Sequence, residues 1–113
     1  MKYEIKLAES FKKAFKRLWK KYRSMDSDLE KLITEIEQNP ETGVSLGSGI
    51  RKVRMAIGSK GKGKSHGARV ITHTAIVSVE AGIITLLTLY DKADQTTITE
   101  KEISLLIKQI EKE

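Results

Sequence analysis

The apolar residues of this chain change their spacing from two to nearly four and back again, and each change marks a border between strand and helix. Tyr3, Ile5 and Leu7 alternate with Glu4 and Lys6, the period of a short strand with one buried face. From Ser10 the interval lengthens. Phe11, Ala14, Phe15, Leu18, Trp19 and Tyr22 form one stripe of an amphipathic helix, which directs Trp19 and both Phe residues to the core. Ser27 and Glu30 have the spacing of a capping box, Leu29, Leu32, Ile33 and Ile36 make a second stripe, and Pro40 ends that helix near Asn39. Residues 42–49, rich in Gly and Ser, read as a loop. Residues 50–57 alternate again, with Val53, Met55 and Ile57 on one side and Lys52 and Arg54 on the other. A glycine-lysine loop fills residues 58–67, and the β-branched runs 68–75 and 83–90 predict a hairpin turning around residues 80–82. Thr99 with Glu102 forms a further capping box, Ile98 and Ile103 sit at staple positions, and Ile103, Leu106, Ile107 and Ile110 give a third helical stripe. The order β-α-α-β-β-β-α predicts an α+β fold, a small antiparallel sheet with helices packed on one face.

At 113 residues the chain is near the common domain size, so one domain spanning residues 1–113 is expected. The absence of Cys removes disulfides, thiolate zinc sites and cysteine nucleophiles, and two His are few for metal work. No metal site and no cofactor are expected. No run of about twenty apolar residues is present to span a membrane, and residues 1–7 do not resemble a secretory signal, so a cytoplasmic protein without a membrane partner is expected.

The formal charge of +6 is unevenly spread: residues 1–23 carry nine Lys/Arg against two acidic residues, and residues 41–75 carry seven against one. Such segregation points to a positive face suited to polyanions. Within the second basic stretch, Gly58-Ser-Lys-Gly-Lys-Gly-Lys-Ser65 fits the phosphate-loop pattern G-x-x-x-x-G-K-S. That motif requires a helix to follow, whereas Ala68-Arg-Val-Ile-Thr-His-Thr74 is strand-like, so nucleotide hydrolysis is not expected. The loop reads better as a flexible tether in which Lys60, Lys62 and Lys64 follow a phosphate chain, with His66 beside them. Lys52 and Arg54 share one strand face, Arg69 and His73 share another, and Tyr90 and Lys92 share a parity at the end of the last strand. Adjacent strands would gather these cations into one band, and an unpaired band of this kind calls for an anion.

Gly49-Ile-Arg-Lys-Val-Arg54, the loop Gly61-Lys-Gly-Lys-Ser-His-Gly-Ala-Arg-Val70 and Leu89-Tyr-Asp-Lys92 before a capped helix resemble the RelE/ParE superfamily of bacterial toxins, especially its HigB-like branch. The resemblance covers nearly the whole chain. It implies the toxin of a type II toxin–antitoxin module, with an antitoxin partner of helix-turn-helix type, acting on messenger RNA at the ribosome. It also places Lys52, Arg54, Arg69 and Lys92 at the family's functional basic positions, Arg69 most firmly. The chain departs from its relatives at Thr72-His73-Thr74, where they carry Tyr, which leaves Tyr90 or His73 as the ring available to an RNA base.

RNA cleaves when a 2′-hydroxyl attacks the adjacent phosphate, so a catalyst must move two protons and stabilise the charge growing on phosphorus. No metal is needed for this. Arg54 and Arg69 suit charge stabilisation, and Lys52, Lys92 or His73 the proton transfers. Two alternatives stay open: a gyrase-inhibiting toxin of the ParE arm, and a plain RNA-binding module.

Overall fold

The first strand finds its partner at the far end of the chain. In the computed structural model, which describes residues 1–113, β1 (Lys2–Leu7) runs parallel to β5 (Ala81–Asp91), with Ile5 opposite Ile84. Between them come α1 (Glu9–Lys21), α2 (Met25–Gln38), β2 (Val44–Gly47), β3 (Ile50–Met55) and β4 (Ala68–Ser78), and α3 (Glu100–Ile110) closes the order. The five strands lie in the order β1-β5-β4-β3-β2, and every pairing except β1–β5 is antiparallel.

The α+β class, the three helices and the β4–β5 hairpin agree with the sequence expectation. Several details differ. The sheet is mixed, because α1 and α2 carry the chain away from β1 and only the last strand returns beside it. Residues 42–49 are not all loop. Val44–Gly47 pairs with β3, and the turn closing that hairpin places Gly47, Ser48 and Gly49 at positive φ. Four residues with two small ones among them are too short for alternation to declare a strand.

Phe11, Ala14, Met25, Leu32 and Ile36 from α1 and α2 pack on Val53, Met55, Val70 and Leu86, one pleat of the sheet. Full burial of side chains of this size contributes about 1.5–3 kcal/mol each. The helices do not all share that face. Ile103 of α3 packs with Ile50, Ile71, Leu87 and Tyr90, side chains of the opposite pleat. An irregularity in the β4–β5 ladder between Ile71 and Thr72 leaves Leu87 without a register partner, and the apolar group it joins must be covered. Thr99 and Glu102 form the expected capping box, and Ile98 packs with Ile103 in the same cluster. The box expected at Ser27 is absent. α2 begins at Met25, and Ser24 turns its hydroxyl to Asp28 at 2.7 Å. Trp19 is not core either. It is 36% exposed, donates to Asp26 at 3.0 Å and lies beneath Arg23, whose guanidinium is 5.0 Å from the ring centre.

Candidate functional site

The glycine-lysine loop would be a floppy arm if only its composition mattered. Instead it is tied down along its length, with 3₁₀ turns at Gly58–Lys60 and Lys64–His66. Both oxygens of buried Asp28 accept from the Gly58 N–H, at 3.1 and 3.0 Å, and the Ser59 N–H donates to Ser24 Oγ at 2.8 Å. Lys60 Nζ donates to Asp91 and to the His66 carbonyl, and it stands 5.4 Å from the centre of the Tyr22 ring. Lys64 pairs with Glu35 at 2.8 Å. The loop then enters β4 directly, so the phosphate-loop pattern has no α-helix after it, as its sequence context indicated. Gly67 makes that entry possible, since a Cβ there would collide with the Met55 carbonyl.

Asp91 is the hub of this anchorage. Its side chain is 0% exposed and accepts from Lys60, from Tyr22 Oη at 2.7 Å and from the Ala93 N–H at 2.9 Å. Burial pushes its carboxyl up, but the hydrogen bonds from Lys60, Tyr22 and Ala93 outweigh burial and hold it below the ordinary carboxylate value. Lys60 is therefore not the free phosphate-following cation expected from the sequence. Its charge is spent inside the protein.

Arg69 is likewise only 5% exposed. Its guanidinium donates to the carbonyls of Lys64 at 3.0 Å, Ala68 at 3.2 Å and Ser65 at 3.3 Å, clasping the end of the loop. In the β3–β4 ladder Arg69 stands directly opposite Arg54, a like-charge cross-strand pair that costs stability unless something offsets it. Neither arginine has a carboxylate partner, since the three ion pairs of the chain are Lys12–Glu9, Lys60–Asp91 and Lys64–Glu35.

Lys52, Arg54, Lys64, Arg69 and Lys92, drawn from β3, the loop, β4 and the segment after β5, line one cavity of about 540 Å³. The one carboxylate on its wall, Glu35, is already held by Lys64. Val44 and Leu46 of β2, both exposed, form part of its wall. Sequence reasoning missed this wall, because it treated the segment as loop. Arg51, on the other pleat, secures the approach to β2 by donating to the carbonyls of Thr42 and Gly43, both at 3.0 Å.

Not every expected residue joins this cavity. His73 pairs with Ile50 and Thr85 farther along the sheet, and it lines a separate hollow with Lys6, Leu7, Glu9 and Glu113. Four residues of strand, about 13 Å, separate it from Arg69. Tyr90 is opposite Arg69 but only 7% exposed, packed under α3, and its hydroxyl has no hydrogen-bond partner. Burial pushes its phenol above the ordinary value, against the pull of Arg69, and the ring is closed to a stacking base. Lys62 and His66 are exposed and line a second cavity of about 540 Å³ with Tyr22, Lys60, Lys92 and Ala93. Tyr22 and Asp91 were legible only as a stripe residue and a strand end; their partnership across 69 residues leaves no local signal.

A three-helix, five-stranded α+β protein with a cationic cavity at one end of its sheet is the class that fold and site define together. Residues 10–112 match the family model described as the RelE toxin of the RelE/RelB toxin–antitoxin system, and the chain belongs to that family. No curated protein matches it. The family is one of toxins that have a cognate antitoxin. No helix is long and apolar enough to cross a membrane.

Proposed function

We propose that this RelE-family chain, with its HigB-like sequence features, is a cytoplasmic toxin that cleaves messenger RNA on the ribosome without a metal ion and so blocks translation. The observation that carries this reading is the cavity where Lys52, Arg54, Arg69 and Lys92 converge with no free carboxylate to neutralise them. A scissile phosphate supplies the missing charge. Its 2′-hydroxyl attacks the adjacent phosphorus, the P–O5′ bond breaks, and the products are a 2′,3′-cyclic phosphate and a 5′-hydroxyl. Exposed Arg54 faces the developing phosphorane charge, a task suited to a permanently charged, bidentate group. Arg69, clasped to the loop, adds fixed positive potential from below. Lys52 and Lys92 are the groups placed to take the proton from the 2′-hydroxyl and return one to the 5′-oxygen. His73 is left out of this scheme by its position, and the antitoxin is a helix-turn-helix protein with an acidic surface.

Controlled expression in bacteria of wild type, Lys52→Ala and Arg54→Ala, with growth and mapped RNA 5′ ends as readouts, tests the reading. Codon-phased new ends with wild type and their loss in both variants support it. Growth arrest without new ends instead indicates a gyrase-directed toxin, and unimpaired growth indicates a binding module.

A further inference from the structure

Of the residues that form the second cavity, Tyr22, Lys60, Lys62, His66, Lys92 and Ala93, only Lys92 enters the cleavage scheme, and it lines both cavities and so joins them. The volume of the second cavity, about 540 Å³, lies within the range of small-molecule sites. No carboxylate is among its six lining residues. Asp91 beneath it is saturated by Tyr22, Lys60 and the Ala93 N–H, and Lys60 is consumed in the same network. Lys62 and Lys92 therefore remain as unpaired ammonium groups, and His66 as an exposed ring. The His66 ring is steadied by a 3.0 Å contact between its Nδ1 and Ser65 Oγ, and its backbone carbonyl by Lys60 at 2.9 Å. An aromatic surface set among phosphate-binding cations is how single-stranded nucleic acid is held without sequence readout.

We infer that this second cavity is a nucleotide subsite for single-stranded RNA, seating the residue next to the scissile phosphate with its base against His66 and its phosphate between Lys62 and Lys92. The inference rests on the RNA reading of the first cavity. It makes the substrate a strand of at least two nucleotides, bridged at Lys92, and supplies the ring that neither Tyr90 nor His73 presents to the first cavity.

Amide NMR titrations of the full chain with 2′-O-methyluridine 5′-monophosphate and with a 2′-O-methyl uridine trinucleotide, which cannot be cleaved, provide the test. The trinucleotide should bind at least about tenfold more tightly than the monomer, a gain of the size that base–aromatic stacking supplies. His66→Ala and Lys62→Ala should erase most of that gain and remove the monomer's amide perturbations around residues 62–66, whereas Lys52→Ala should weaken the trinucleotide and leave those perturbations in place. An abasic substitution at one trinucleotide position should cost about tenfold in wild type and nothing further in His66→Ala. Retention of the full gain by both loop variants, or no gain with length in wild type, overturns the subsite and leaves the first cavity standing. Failure of wild type to bind either ligand overturns the subsite, while the RNA reading stands or falls separately on the mapped RNA 5′ ends.

Discussion

Lys60 and Arg69 on one hand, and Lys52, Arg54, Lys62 and Lys92 on the other, look alike in the sequence and take opposite roles in the fold. The first two are mostly or wholly buried and turned inward, Lys60 to Asp91 and Arg69 to three backbone carbonyls. The other four make no ion pair and line the two cavities. The inward pair builds the wall and the unpaired set faces what the wall surrounds. Substitutions in the two sets should therefore separate, one acting on stability and the other on chemistry.

Breaking the inward set at its deepest point should have the largest effect. Lys60→Met leaves Asp91 buried with a full charge and one partner fewer, and should cost about 3–5 kcal/mol in denaturant unfolding. The same pair carries a pH signature. Because the native carboxyl of Asp91 sits below its ordinary value of 3.8, its contribution to stability is fully present above that pH and is lost as pH falls through the native value. Acid unfolding of wild type should show this loss, and Lys60→Met should flatten it. An unchanged unfolding midpoint in Lys60→Met would erase the distinction between the two sets.

Lys52→Ala or Arg54→Ala should act the other way, lowering cleavage by about 10²- to 10³-fold, as removal of one proton-transfer group or one charge-stabilising group does. Their stability should stay within about 0.5 kcal/mol of wild type. Arg69→Ala sharpens the comparison, since Arg69 lines the cavity and also clasps the loop. It should lose about 2–3 kcal/mol of stability, with faster amide exchange across residues 61–67, and Arg69→Lys should not restore the loop because one ammonium cannot reproduce the three-way clasp. Lys64→Ala should be the mildest. Its pairing with Glu35 is about half exposed, and the unfolding free energy should move by less than about 1 kcal/mol.

The sequence exposed the unpaired set well. Alternation placed Lys52 and Arg54 on one face, parity paired Lys92 with Tyr90 at the end of the last strand, and the strand-like run after the loop dismissed the nucleotide motif. It concealed the inward set, because Lys60 and Asp91 are 31 residues apart and a lysine among glycines carries the same letters whether it is free or pinned. His73 was misplaced for a related reason. Parity gives a face but not a position along it, and four residues of strand exceed the width of the site. β2 escaped because a strand of four residues offers only two alternations, and the second face of the sheet was misjudged because Leu87 falls at an irregularity that periodicity cannot register.

The anchorage of the loop at Asp28, Ser24, Asp91 and Glu35 bears on affinity as well as on shape. Freezing a mobile backbone costs about 1–2 kcal/mol per residue, and glycine is the costliest residue to freeze. Here that entropy is surrendered once, during folding, so an incoming strand meets rims already in place and keeps nearly all of its electrostatic gain.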